Sequence, residues 1–146
     1  MNQIKKLKRS QRYEVLDLWL RCTMLDNPFI EENFWQKHYD EVRDNYLINS
    51  DTYVYLIDGV VAGFMCITDE NYIRGLFVDP KFRSNGIGAE LVRYAKEIYS
   101  MLDVKIYMKS RSMVSFATHM GFVIDGASMH AETGEIQYNM IWDEND

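Results

Sequence analysis

Residues 78–101, "VDPKFRSNGIGAELVRYAKEIYSM", open on an apolar strand residue and close inside an amphipathic run. Between the two stand Arg83 and a pair of glycines, Gly86 and Gly88, separated by Ile87. A chain reversal needs one glycine, and a helix start favours Ser, Asp or Asn. The second glycine and the arginine point to a bound group at this corner. A strand that ends in a glycine-rich turn and opens a helix makes an anion cradle. The first amides of the helix have no partner within it, and the helix dipole puts partial positive charge there. Glycine also lets the backbone approach a phosphate closely and take positive φ. Two standard phosphate loops are excluded. Gly88 is followed by Ala89-Glu90 rather than Lys-Ser/Thr, and Leu91 stands where the dinucleotide fingerprint needs a third glycine.

Hydrophobic spacing places this corner in a longer order. Residues 2–7 read as a short strand. From Ser10, a suitable N-cap, a helical stripe runs through Tyr13, Leu16, Leu20 and Met24 until "DNP" breaks it. A second helical spacing follows through Phe34, His38, Val42 and Tyr46. "TYVYLI", the turn Asp58-Gly59 and "VVAGFMCIT" form a hairpin, and "YIRGLFV" follows the turn "DEN". After the corner, Ile87, Leu91, Tyr94, Ala95 and Ile98 define a helix. "VKIYM" is then a strand, "SMVSFATHM" a short helix, and "GFVIDGASMH" with "EIQYNMIW" a closing hairpin. The predicted order is β-α-α-β-β-β-α-β-α-β-β, an α/β (α+β) chain with a mixed sheet of about seven strands and about four helices.

The 146 residues fit one domain spanning 1–146. Apolar residues make up 47% and charged ones 26%, with no apolar run long enough for a membrane span. The basic N-terminus lacks the pattern of a signal peptide, so a cytoplasmic location is expected. The formal net charge of −6 argues against a general nucleic-acid binder. Positive charge does gather in "KKLKR" and across Arg83, Arg93, Lys105, Lys109 and Arg111, the second group being expected around the corner. Cys22 and Cys66 have no metal-ligand spacing and read as buried free thiols.

The stretch "LFVDPKFRSNGIGAELV" resembles motif A of the GNAT superfamily of N-acetyltransferases, whose core is Arg/Gln-x-x-Gly-x-Gly/Ala; here it is Arg83-Ser84-Asn85-Gly86-Ile87-Gly88. The element order and Gly121-Phe122 also match, so the resemblance covers essentially the whole chain. It implies an acetyl-CoA-dependent transfer of acetyl to a primary amine of a small molecule or protein, with no metal, in a monomer or homodimer. Amides of Ser84, Asn85, Gly86, Ile87, Gly88 and Ala89 would cradle the pyrophosphate, and Arg83 would approach the phosphates. The main chain of Leu76, Phe77 and Val78 would pair with pantetheine and polarise the thioester carbonyl. The cofactor would enter where that strand diverges from residues 104–108. Ser110 stands where the family usually has an asparagine.

The pattern departs from the family at the chemistry. Ala117 occupies the position of the frequent tyrosine acid, Lys105 a position where some members carry a glutamate base, and Tyr72 another glutamate position. Tyr72 is therefore the candidate proton relay, with a packed strand tyrosine as the alternative. Glu70 and His119 read mainly as surface groups, and His38 and His130 have no evident partner in the sequence. The acceptor site would draw on Trp19, Asn27, Phe29, Phe34, Trp35, Tyr39 and Tyr138. The alternative function is a catalytically weakened sensor or interaction module that binds CoA or acyl-CoA.

Overall fold

Asp58 and Gly59 take φ of 50° and 78°, the backbone that a two-residue hairpin turn requires. They join β2 (Asp51–Ile57) to β3 (Val60–Ile67), and β4 (Tyr72–Val78) follows antiparallel to β3. With β1 (Ile4–Lys6), β5 (Met101–Tyr107), β6 (Val123–Met129) and β7 (Ile136–Asp143), they form one sheet in the order β1-β2-β3-β4-β5-β7-β6. The chain is described by a computed structural model that covers residues 3–68 and 70–146; Asn2 of the predicted first strand and Asp69 of the "DEN" turn lie outside it. Every neighbouring pair is antiparallel except β4 and β5, which makes the sheet mixed as expected.

The helices cover both faces. α1 (Arg12–Asp26) buries Val15, Leu16, Leu18, Trp19 and Cys22, while Tyr13 of the predicted stripe is 78% exposed. The predicted single stripe is too narrow because α1 packs on β3 and β4 and also on the segment after it. Ser10 does not cap α1. It sits in a 3-10 turn (Arg9–Gln11), where Gln11 Oε1 accepts the Lys8 amide at 2.8 Å, and the helix begins after that turn.

The second predicted helix is interrupted. α2 (Glu32–Lys37) ends at His38, and then α3 (Tyr39–Glu41), a π-helical turn (Val42–Tyr46) and α4 (Leu47–Asn49) follow without a gap. Phe34, Val42 and Tyr46 remain on the face toward the sheet, packed with the cluster around Trp19, Val54 and Phe64. On the opposite face α5 (Ile87–Ile98) and α6 (Arg111–His119) cover Ala62, Met65, Ile73, Leu102 and Met140. Each fully buried aliphatic side chain in these clusters contributes roughly 1.5–3 kcal/mol. Cys22 and Cys66 are buried free thiols, and burial pushes the Cys22 thiol up to about 11.

The parallel pair is the exception within the sheet. β4 and β5 are in register only at Tyr72↔Asp103 and Ile73↔Val104. Beyond that point β4 stays bound to β3, down to Gly63↔Val78, while β5 stays bound to β7. A gap opens in the middle of the sheet. Gly63 holds β4 in place on its far side: a Cβ there would meet the Phe77 carbonyl oxygen at 2.8 Å and Ile87 Cγ2 at 3.3 Å. Gly63→Ala is expected to destabilise the chain by about 1–3 kcal/mol. Denaturant unfolding should show a lower midpoint at unchanged slope; an unchanged midpoint would mean that the β3–β4 ladder yields at no cost.

Candidate functional site

The corner is assembled from the end of β4. Asp79, 5% exposed, accepts the Lys81 amide at 3.0 Å and so caps the 3-10 turn Pro80–Phe82, in which Pro80 has the preset φ of a first position. The chain then passes through left-handed conformations at Ser84 (φ 73°) and Gly86 (φ 75°) before α5 begins. No side chain caps α5, and a Cβ at Gly86 would meet nothing within 4 Å. The first-turn amides therefore face an open cleft of about 360 Å³ rather than protein.

The cleft matches the predicted cofactor set closely. Leu76, Phe77, Val78, Arg83, Ser84, Gly86, Ile87, Gly88 and Ala89 all line it. Asn85 does not; its amide nitrogen donates to the Phe82 carbonyl at 3.1 Å and holds the turn. Ser110 also lies elsewhere, in the β4–β5 gap, where its hydroxyl donates to Asn27 Oδ1 at 2.8 Å. Of the five basic residues expected around the corner, only Arg83 lines the cleft.

Arg83 is turned inward. Its guanidinium grips both oxygens of Asp26 at 2.8 and 3.0 Å, and its Nε donates to the Val78 carbonyl at 3.0 Å. The hydrogen bonds to Asp26 raise the guanidinium pKa. These contacts brace the end of β4 to the end of α1. Asp26 itself lines the cleft, so this pairing also neutralises a carboxylate at its wall.

Two further cavities continue inward. One, of about 240 Å³, occupies the β4–β5 gap and shares Asp26, Leu76, Phe77, Met113 and Phe116 with the corner cleft. The other, of about 250 Å³, lies under α2 and the π-helical turn and shares Trp19, Trp35, Tyr72, Arg74, Phe77 and Tyr107 with the gap. Corner, gap and aromatic cavity are thus neighbours in a row, each sharing wall residues with the next. Ala117 and Lys105 line the gap. Glu70 and His119 are exposed and line none of the three cavities.

Among the expected acceptor residues, Trp19, Phe34 and Trp35 line the aromatic cavity, and Asn27 lines the gap. Phe29 stands edge-on to Tyr107, and Tyr39 packs beside Trp19. Tyr138 instead packs with the core under α5 and α6, because the β5–β7 register turns it away. His38 has a partner after all: its Nε2 lies 3.1 Å from Glu132 Oε2 at this cavity. His130 is paired with Thr133 and stacks edge-on to Phe34. The His38–Glu132 pairing spans 94 residues, so local spacing gave no signal of it, whereas the His130–Thr133 pairing is local to the β6–β7 loop.

Two half-buried phenols, Tyr72 and Tyr107, line both the gap and the aromatic cavity. Burial raises the pKa of Tyr72, with Arg74 opposing. It also raises that of Tyr107, with a hydrogen bond from Thr133 opposing. Tyr107 was missed by sequence reading, since "VKIYM" reads simply as a strand.

A sheet split at its parallel pair, with a glycine-opened helix at one end of the split, defines an acyl-CoA-dependent transferase scaffold. Residues 12–122 match the acetyltransferase (GNAT) family. The peptidyl-lysine N-acetyltransferase YiaC of Escherichia coli K12 is 32% identical over 95% of both chains. In fold, the chain resembles the solution structure of apo YjaB from Escherichia coli (TM-score 0.84, 21% identity, 97% of each chain). It equally resembles the PaiA N-acetyltransferase of Thermoplasma acidophilum solved with coenzyme A (TM-score 0.84, 14% identity, 98% of this chain and 99% of that one). The chain belongs to the GNAT acetyltransferase family and is an N-acetyltransferase with acetyl-CoA as donor.

The Arg83–Asp26 brace separates two roles for the arginine. If it neutralises Asp26, Arg83→Gln should weaken CoA binding by about tenfold, since an unpaired carboxylate then faces the phosphates. The double variant Asp26→Asn/Arg83→Gln should recover most of the loss in calorimetric titration. A double variant as weak as Arg83→Gln would mean that the guanidinium itself holds a phosphate.

Proposed function

We propose that the chain transfers acetyl from acetyl-CoA directly to the side-chain amine of a lysine in a protein or peptide, within a ternary complex. The observation that carries this reading is the row of three cavities, corner cleft, gap and aromatic cavity, which share wall residues in turn and offer donor and acceptor separate places on either side of the gap. The likeness to a peptidyl-lysine N-acetyltransferase supports the choice of lysine. An aromatic wall of Trp19, Phe34 and Trp35 suits the four-carbon stem of that side chain.

In this reading the amides of Ser84 to Ala89 hold the pyrophosphate. The free edge of β4 from Leu76 to Val78 pairs with pantetheine and directs amides at the thioester carbonyl. Binding both substrates in adjoining cavities supplies positioning as the first source of rate. Tyr72 acts as a donor rather than a base. Its raised pKa keeps the phenol protonated at neutral pH, so it can give a proton to the departing thiolate but cannot take one from an ammonium. His38, whose Nε2 lies 3.1 Å from Glu132 Oε2, is the group in the acceptor cavity placed to receive the amine's proton through water. Ala117 leaves the usual acid position empty, and Tyr72 faces the same gap cavity.

The test is acetyl-CoA turnover with lysine peptides, with the acetyl group located by mass spectrometry. Release of CoA that depends on peptide lysine is expected. Tyr72→Phe should lower kcat by ~10²-fold at unchanged CoA affinity. Slow hydrolysis of acetyl-CoA, independent of any acceptor, would instead support a sensor. A kcat loss confined to Tyr107→Phe would move the proton donor to that residue.

A further inference from the structure

Two irregularities of the backbone meet at Arg74. Along β3 and β4 the register jumps from Cys66↔Gly75 to Ile67↔Ile73, so Arg74 is a bulge residue with no partner on β3. A bulge re-aims a side chain, and this one sends the arginine into both the gap and the aromatic cavity. Opposite it, the π-helical turn Val42–Tyr46 brings Tyr46 to the same place. The Arg74 guanidinium lies 4.0 Å from the centre of the Tyr46 ring and 5.6 Å from that of Tyr72. Rings fix the plane of the guanidinium and leave its N–H groups free.

No carboxylate answers this charge. Among the described residues Arg74 makes no ion pair, although Arg21, Arg43 and Arg83 all do. A second donor is unmatched in the same walls: Trp35, 9% exposed, lines both cavities, and its indole N–H is buried without an acceptor. Of the acids that line these two cavities, Glu132 is already paired with His38 and Asp26 with Arg83. A cation beside the place where an ammonium must react is a cost to any acceptor that brings positive charge only. It becomes an advantage when the acceptor carries its own anion.

We propose that Arg74, held flat by Tyr46, binds a carboxylate that lies next to the reactive amine, so that the preferred acceptor is a lysine flanked by Asp or Glu. This rests on the lysine-transferase reading and specifies its substrate class. Arg74 and its planar fork take the carboxylate oxygens. A carboxylate held by both ends of that fork makes the charge-assisted pair that Arg74 lacks among the described residues.

The experiment uses two sets of peptides that differ only in whether Asp or Asn stands at the positions flanking the acceptor lysine. The full-length chain should favour the best Asp peptide by about tenfold or more in kcat/KM, expressed mainly in KM, and the preference should shrink as salt is raised. In Arg74→Gln the ratio should fall to near one; Arg74→Lys should keep part of it, and Arg74→Glu should turn the preference toward peptides with a second lysine in place of Asp. The ratio is independent of the fraction of enzyme that is active, so partial misfolding of a variant does not imitate the result. A ratio near one in the unmodified chain, or one that persists in Arg74→Gln, overturns the inference and leaves lysine acetylation standing. Failure to acetylate any peptide overturns both.

Discussion

β4 is bound to β3 from Ile73 to Val78, interrupted at the Arg74 bulge, but to β5 at only two register positions, and the site depends on that imbalance. A parallel pair that parted without a firm partner on the other side would leave a loose strand. Here Gly63 lets β3 approach closely enough to keep β4 fixed to Val78. The free edge of β4 then offers main-chain groups to a ligand with no loss of fold, because unmet amides and carbonyls are tolerable only where water or a ligand can reach them. Antiparallel β5–β7 pairing keeps the other lip of the gap equally firm.

The same strand sets the two ends of the row of cavities. At its C-terminal end, Asp79 caps the turn that delivers Gly86 to the start of α5, and Arg83 ties this turn back to Asp26 of α1. Nearer its N-terminal end, the bulge at Arg74 points charge toward the acceptor cavity. Backbone amides concentrate positive potential at one end and a side-chain cation stands at the other, within a protein of net charge −6.

Much of this was legible in the residues. Hairpin chemistry at Asp58-Gly59, the strand-to-glycine corner and the amphipathic spacing of α5 each follow from local rules, and all seven strands stand where their patterns place them. The cleft at the corner was legible for the same reason: a corner is a local object, and nine of the residues expected there line one cleft. Features that depend on distant partners were not. The Arg83–Asp26 brace spans 57 residues and the His38–Glu132 pair spans 94. The breaks at His38 and in the π-helical turn leave hydrophobic spacing intact, so periodicity alone reads one helix where the chain makes several turns. The bulge at Arg74 is invisible for a related reason, since it is a property of the β3–β4 register.

If the split sheet and the glycine corner together form the donor site, titration of the isotope-labelled chain with CoA should move the amide chemical shifts of these segments. The largest changes should fall on Ser84 to Ala89 and on Leu76 to Val78, with smaller ones along Lys105 to Tyr107 across the gap. Changes gathered on β1, β6 or the outer face of α1, with the corner amides unmoved, would contradict it.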